Sequence, residues 1–203
     1  SAKAGISIHR VIFRKPTITT FSDSSELGIG GFCPKTGVGW RYRFTKEEQQ
    51  AFTLNTKDYI ASAIDMELQA NLDDDNRRYP CILNQSDSSS TVGWLRKSNH
   101  DPDDAPIHNE VARWHARNMM DRQACNYSQH LPGVWNIVAD SLSRDFHLSN
   151  EQIIAMLTSL HPSLSPSQIK IVDLPQKHIS WIASLAQRWP GTRELPKRLI
   201  KSR

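Results

Sequence analysis

Residues 129–144 read QHLPGVWNIVADSLSR. His130 stands ten residues ahead of Asp140, with Pro132 and Gly133 between them. A Pro-Gly pair ends a strand, and residues 136–143 have the composition of a helix. The spacing therefore predicts His130 at a strand end and Asp140 near a helix start. A carboxylate there stays ionised at little cost, because the helix dipole favours negative charge, and a nearby imidazole can carry protons. This is part of a hydrolytic site, and more carboxylates are needed to complete it.

Two acids sit in suitable runs. Residues 17–32, TITTFSDSSELGIGGF, read as a strand ending at Asp23, a tight turn, and a Gly-rich second strand. Residues 83–97, LNQSDSSSTVGWLRK, continue a strand over 80–86 into Asp87 and a Ser-rich helix start. If those two strands pair in parallel, Asp23 and Asp87 lie side by side, and like charges that close repel unless a cation sits between them. Aspartates without cysteine form a hard oxygen cage, suited to Mg²⁺ or Mn²⁺ rather than zinc.

Four blocks, SDSSELGIGGF, LNTKDYIASAI, SDSSSTVGWL and HLPGVWNIVADSLSR, in this order and spacing, resemble the ribonuclease H domain of retroelement reverse transcriptases. The closing PG..N..AD.LSR is the most specific. The resemblance spans 16–145, and the lead-in GISIHRVIFRKP is similar to the segment joining the polymerase part of such elements to this domain. It implies an α/β, ribonuclease H-like fold: a mixed five-stranded sheet flanked by helices, followed here by a helical C-terminal extension. It also implies four carboxylates around two Mg²⁺ ions (Mn²⁺ as a substitute) and hydrolysis of the RNA strand of an RNA–DNA hybrid. The implied partners are the hybrid, a reverse transcriptase polymerase domain in the same polyprotein, and a downstream recombinase or integrase domain.

Asp23, Asp87 and Asp140 carry over directly as catalytic metal ligands, with His130 as the proton carrier. The fourth position departs. The family places a glutamate in a pattern like N..E..A, and this chain reads Asn55, Asp58 and Ala61 there. One methylene fewer shortens the reach by roughly 1 to 1.5 Å. Glu67 is about two and a half turns on and faces away, and Asp65 lies about 10 Å along the axis. Asp58 thus leaves two readings open: a hybrid-cleaving ribonuclease, or a catalytically weakened remnant that binds nucleic acid or acts as a spacer. A resolvase or integrase of the same fold class is the weaker third, because the LSR-ending block belongs to the retroelement pattern.

Charge locates the expected nucleic-acid contacts. Residues 188–203 hold six basic residues and one acid, a net +5 against the chain's +4, so residues 1–187 sum to −1. Residues 98–105, SNHDPDDA, bring three acids and no Lys or Arg where such domains often carry a basic protrusion. Phosphate contacts are therefore expected from Arg96, Lys97, Arg113, Arg117 and Arg122 or from the tail, with Ser24 and Asn55 beside the acids.

The chain is expected to divide into 1–15, a linker from an upstream polymerase region; 16–147, the ribonuclease H-like domain; and 148–203, a helical, basic linker. Because it begins inside what resembles a linker, it is expected to be an excerpt of a longer polyprotein. A hydrophobic share of 38%, no run of membrane-span length and no signal-like N-terminus predict an intracellular, membrane-free protein. Cys33, Cys81 and Cys125 are odd in number and far apart, which predicts reduced, partly buried thiols.

Strands are expected at 17–22, 28–33, 38–44, 79–86 and 126–131, with Trp40, Tyr42 and Phe44 sharing one face. Helices are expected at 56–71, 89–97, 107–123 and 136–143. Residues 72–75 and 101–104 read as loops. Further on, Ser149 to Gln152 has the form of a capping box before a helix over 153–160, and Trp181, Ile182, Leu185 and Trp189 repeat at helical spacing.

Overall fold

The computed structural model describes residues 14–72, 79–96 and 106–190. Three antiparallel strands open it: β1 (Ile18–Ser24), β2 (Gly28–Cys33) and β3 (Val38–Arg43). Helices α1 (Lys46–Ala51) and α2 (Leu54–Leu72) follow, then β4 (Cys81–Ser86), α3 (Ser89–Leu95), α4 (Pro106–Asp121) and β5 (Cys125–His130). A 3-10 turn, Gly133–Trp135, leads into α5 (Ile137–Arg144). The chain then forms α6 (Asn150–Leu160), β6 (Lys170–Asp173) and α7 (Gln176–Arg188). The sheet order is β5-β4-β1-β2-β3-β6, with β4 parallel to both β1 and β5, and β6 parallel to β3. The fold is α/β, a mixed sheet flanked by helices.

The alternation of β1 separates its two faces. Ser22 meets Ser62 of α2 through a 2.8 Å hydroxyl contact, and Asn84 of β4 donates to both Thr20 Oγ1 and Ser22 Oγ. Phe21 and Asp23 point the other way, toward α5. The glycines of β2 let both helical layers come close. A Cβ on Gly30 would stand 2.5 Å from Leu142 Cβ of α5, and one on Gly31 would stand 2.6 Å from Asp65 Oδ1 of α2. Any larger residue at either position would push a helix, and its acid, off the sheet.

The sheet has six strands where five were expected, because β6 adds along the outer edge of β3. The capping box at Ser149 and Gln152 is present. Leu174, Ile182 and Leu185 lie in the same buried cluster as Ile18, Trp40 and Ile64, and Trp181 stacks on Trp114 with centroids 4.2 Å apart. Sheet and core therefore both cross the boundary expected at residue 147. Glu67 fastens α7: its Oε2 lies 2.8 Å from the buried His178 Nε2, and its Oε1 accepts from Lys177 Nζ at 2.6 Å. Helix α1 was not expected, although Thr45 and Glu48 form a second capping box. All three cysteines are buried free thiols. No helix among the described residues is long and apolar enough to cross a membrane. Residues 1–13, Lys97, the loop expected at 101–104 and the tail beyond residue 190 lie outside the described residues, as does the 72–75 loop apart from Leu72.

Candidate active site

Parallel pairing of β1 and β4 sets Phe21 opposite Gln85, so Asp23 and Asp87 leave the sheet side by side at the same strand ends. On the next strand His130 is in register with Ser86, one residue ahead of Asp87, and it is exposed. The Pro-Gly turn then brings Gly133 against Asp87, where a Cβ would meet Oδ2 at 3.1 Å. Asp140 lies in the first turn of α5 and Asp58 near the start of α2. The four aspartates thus come from β1, the turn after β4, α2 and α5 to the same end of the strands.

Small hydroxyl groups hold them. Asp23, 4% exposed, accepts from Ser143 Oγ at 3.1 Å, and Ser143 also approaches the Asp140 carbonyl at 2.9 Å. Ser25 Oγ donates to the Ser143 carbonyl at 2.6 Å, which ties α5 to the end of β1. Asp58 accepts from Ser24 Oγ at 2.6 Å and is also hydrogen-bonded by Ser88. Its short arm is therefore held by the residues that follow Asp23 and Asp87. Arg144 pairs with Asp140 one turn back on α5.

The electrostatics show the crowding. Burial, then the charges of Asp87 and Asp58, push the Asp23 carboxyl up to about 8 despite the Ser143 hydrogen bond. Burial raises Asp58 to about 6, with Asp87 adding to it and the Ser24 and Ser88 hydroxyls opposing. Burial also raises Asp140, against the pull of Arg144. Among the described residues no three His, Cys, Asp or Glu side chains close into a finished cage. Arg144 is paired with Asp140, and Ser24 is hydrogen-bonded to Asp58. The donors are all carboxylate oxygens, and shared negative charge at this density suits a hard divalent cation.

The remaining candidates divide. Asn55 is exposed one turn before Asp58. Ser24, expected at the nucleic-acid surface, is 5% exposed, its hydroxyl directed to Asp58. Arg96 is exposed and donates to the Ser128 carbonyl at 3.0 Å. Arg113 and Arg117 are exposed one turn apart on α4. Lys57, next to Asp58, is buried and turns away to Glu26 at 2.9 Å, so it neutralises none of the acids. Asp65 accepts from Trp40 Nε1 at 2.8 Å inside the core, where burial lifts it to about 7. The sequence reading missed Ser143 and Ser88; the LSR and DSS triplets that contain them were the available signal.

No protein-family model and no curated sequence matches the chain. Among solved structures it is similar to RNase H1 from the halophilic archaeon Halobacterium salinarum NRC-1, with 15% identity and a TM-score of 0.47 over 63% of this chain and 95% of that one.

Proposed function

We propose that this chain is a ribonuclease H-type, metal-dependent endonuclease that hydrolyses the RNA strand of RNA–DNA hybrids as part of a retroelement reverse transcriptase. The observation that carries this reading is the convergence of Asp23, Asp58, Asp87 and Asp140, each pressing on the ionisation of Asp23 or its neighbours. The four sequence blocks quoted above supply the substrate class. Asp23 and Asp140 would hold one Mg²⁺, and Asp23, Asp58 and Asp87 the other. The bound pair would activate a water and stabilise the leaving 3′ oxygen.

The chain's own residues do the rest. Ser143 orients Asp23, and Ser24 and Ser88 fix Asp58. His130, exposed beside Asp87, is placed to carry a proton toward the leaving group or to help release product. Arg96, Arg113 and Arg117 offer phosphate contacts on the α3 and α4 side, joined by Lys97 and the basic tail. The polyprotein partners are a polymerase domain upstream and a recombinase or integrase downstream.

A weakened remnant that binds hybrid or spaces its neighbours is the second reading, and the short, serine-bound Asp58 favours it. Asp58→Glu separates the two. Restored reach should raise kcat on a labelled hybrid about tenfold, worth roughly 1.4 kcal/mol of barrier, with little change in KM. If the Glu variant is no faster than an already active wild type, Asp58 is not a deficit. If neither chain cuts, the remnant reading stands.

A further inference from the structure

Cys81 and Cys125 are far apart in the sequence and next to each other in the fold. Each is the first residue of its strand, β4 and β5, and the two strands run parallel with Cys81 opposite Cys125. The Cys125 N–H donates to the Pro80 carbonyl at 3.0 Å, which fixes that register from the first pair. Residues directly opposite on neighbouring strands send their side chains to the same face, so both thiols leave the sheet together, on the face that carries Phe21 and Gln85. Adjacent strands lie about 4.8 Å apart, inside the roughly 4.4 to 6.8 Å that a disulfide spans between Cα atoms.

The segment before β1 passes over the pair. Cys81 Sγ donates to the Arg14 carbonyl at 3.5 Å, and the Arg14 N–H donates at 3.2 Å to the hydroxyl of Tyr127, two residues past Cys125 on the same strand. Cys81 is fully covered, whereas Cys125 keeps 7% of its surface open. Burial, a hydrogen bond with the Cys125 thiol and the charge of Cys125 push the Cys81 thiol up to about 12. Cys81 therefore stays protonated, and the thiol that meets an oxidant is Cys125. Cys33 supplies an internal control, because its partner across the sheet is Val38 and no thiol stands opposite it.

We propose that Cys81 and Cys125 are a redox modification site, forming a reversible disulfide between β4 and β5 when the chain meets a hydroperoxide. In the first step the Cys125 sulfur bonds to one peroxide oxygen, the O–O bond breaks, and the other oxygen leaves with the Cys125 proton as water; the sulfur is now a sulfenic acid. In the second the Cys81 sulfur bonds to the Cys125 sulfur, the S–O bond breaks, and the oxygen leaves with the Cys81 proton as water. Two thiols and one hydrogen peroxide thus give one disulfide and two waters. β5 is the outermost strand, so the pair can draw together without moving the central strands. The link pins the strand that ends in His130 to the strand that leads into Asp87. It stands on the strand register and holds whatever the substrate of the acid site.

The test takes the full chain, folded and reduced, exposes it to hydrogen peroxide below its melting temperature, then denatures and alkylates it for peptide mapping. All three thiols should be alkylated in the reduced chain, and Cys33 alone in the oxidised one. The Cys81 and Cys125 peptides should be recovered as one linked species that dithiothreitol separates. Cys33→Ala should link as wild type does, and Cys125→Ala should leave Cys81 alkylated. The oxidised chain should melt about 8 °C above the reduced one, because the link also constrains the unfolded chain, and Cys125→Ala should show no such shift. Cys81 and Cys125 still alkylated after oxidation, a link formed only between chains, or loss of both thiols to higher oxides without a link overturns the proposal. A linked chain that melts below the reduced one overturns it too, since the bond would then form only by distorting the sheet. The wild-type map decides the outcome even where a variant fails to fold.

Discussion

Asp23→Asn is expected to lower hybrid cleavage on the order of 1,000-fold while raising the melting temperature of the metal-free chain by about 6 °C. Both effects have one cause. Asp23 is 4% exposed and its ionised form is disfavoured by burial and by Asp87, Asp58 and Asp140. An amide keeps the shape and still accepts from Ser143, but it removes the charge that a shared cation would need. The sign with pH follows from linkage. A carboxyl raised from 3.8 to about 8 gives the folded state more bound protons than the unfolded state across that window. Metal-free wild type should therefore lose stability as pH rises from about 4 to 8, with Asp58 and Asp65 adding to the loss up to about 6 and 7. The advantage of Asp23→Asn should be full at pH 8 and vanish near pH 4. Melting curves in chelator at both pH values, beside cleavage assays with Mg²⁺, check the pair of effects. A variant that cuts like wild type, or melts below it at pH 8, removes Asp23 from the centre of the site.

Glu67→Ala should cost about 3 kcal/mol of stability, a fall in Tm of about 9 °C, while leaving cleavage intact at temperatures where the chain is folded. Glu67 is 4% exposed and His178 is fully buried. Truncation leaves the imidazole with neither nitrogen matched, because Nδ1 already lacks a partner among the described residues. Burial alone would raise the Glu67 carboxyl, but hydrogen bonds from His178 and Lys177 outweigh it and bring the group down to about 2. A depressed carboxylate stabilises the fold above pH 4.5, and that contribution is lost as pH falls from 4.5 toward 2. The acid limb of wild-type unfolding should therefore be shallower in the variant. Chemical denaturation across pH 2 to 7 reads both effects. A loss below about 1 kcal/mol would mean that α7 is held by its apolar face, Ile182 and Leu185, with the ion pair adding little.

The sequence made the acid-bearing core legible because its signals are local. Pro132-Gly133 ended β5 within a residue of the expected point, and the parallel pairing of β1 with β4, the condition on which Asp23 and Asp87 were expected side by side, is present. The sixth strand was not legible: KIVD is four paired residues, and its place beside β3 depends on contacts more than 100 residues apart. Glu67 was read correctly as facing away from Asp58, but nothing near it in the sequence announces His178 as its partner. At the site, aspartates stand out in small-residue runs, whereas Ser24, Ser88 and Ser143 look like turn and helix-start residues. Their role appears only when three separate segments meet.

The most direct test of the four-acid site is cleavage of an RNA–DNA hybrid labelled on its RNA strand, with and without Mg²⁺, beside a DNA duplex of the same sequence. The expected result is endonucleolytic cutting of the RNA strand that requires the divalent ion, with the DNA duplex untouched. A folded wild-type chain that leaves the hybrid intact at every Mg²⁺ and Mn²⁺ concentration, or that cuts the DNA duplex equally well, would contradict it.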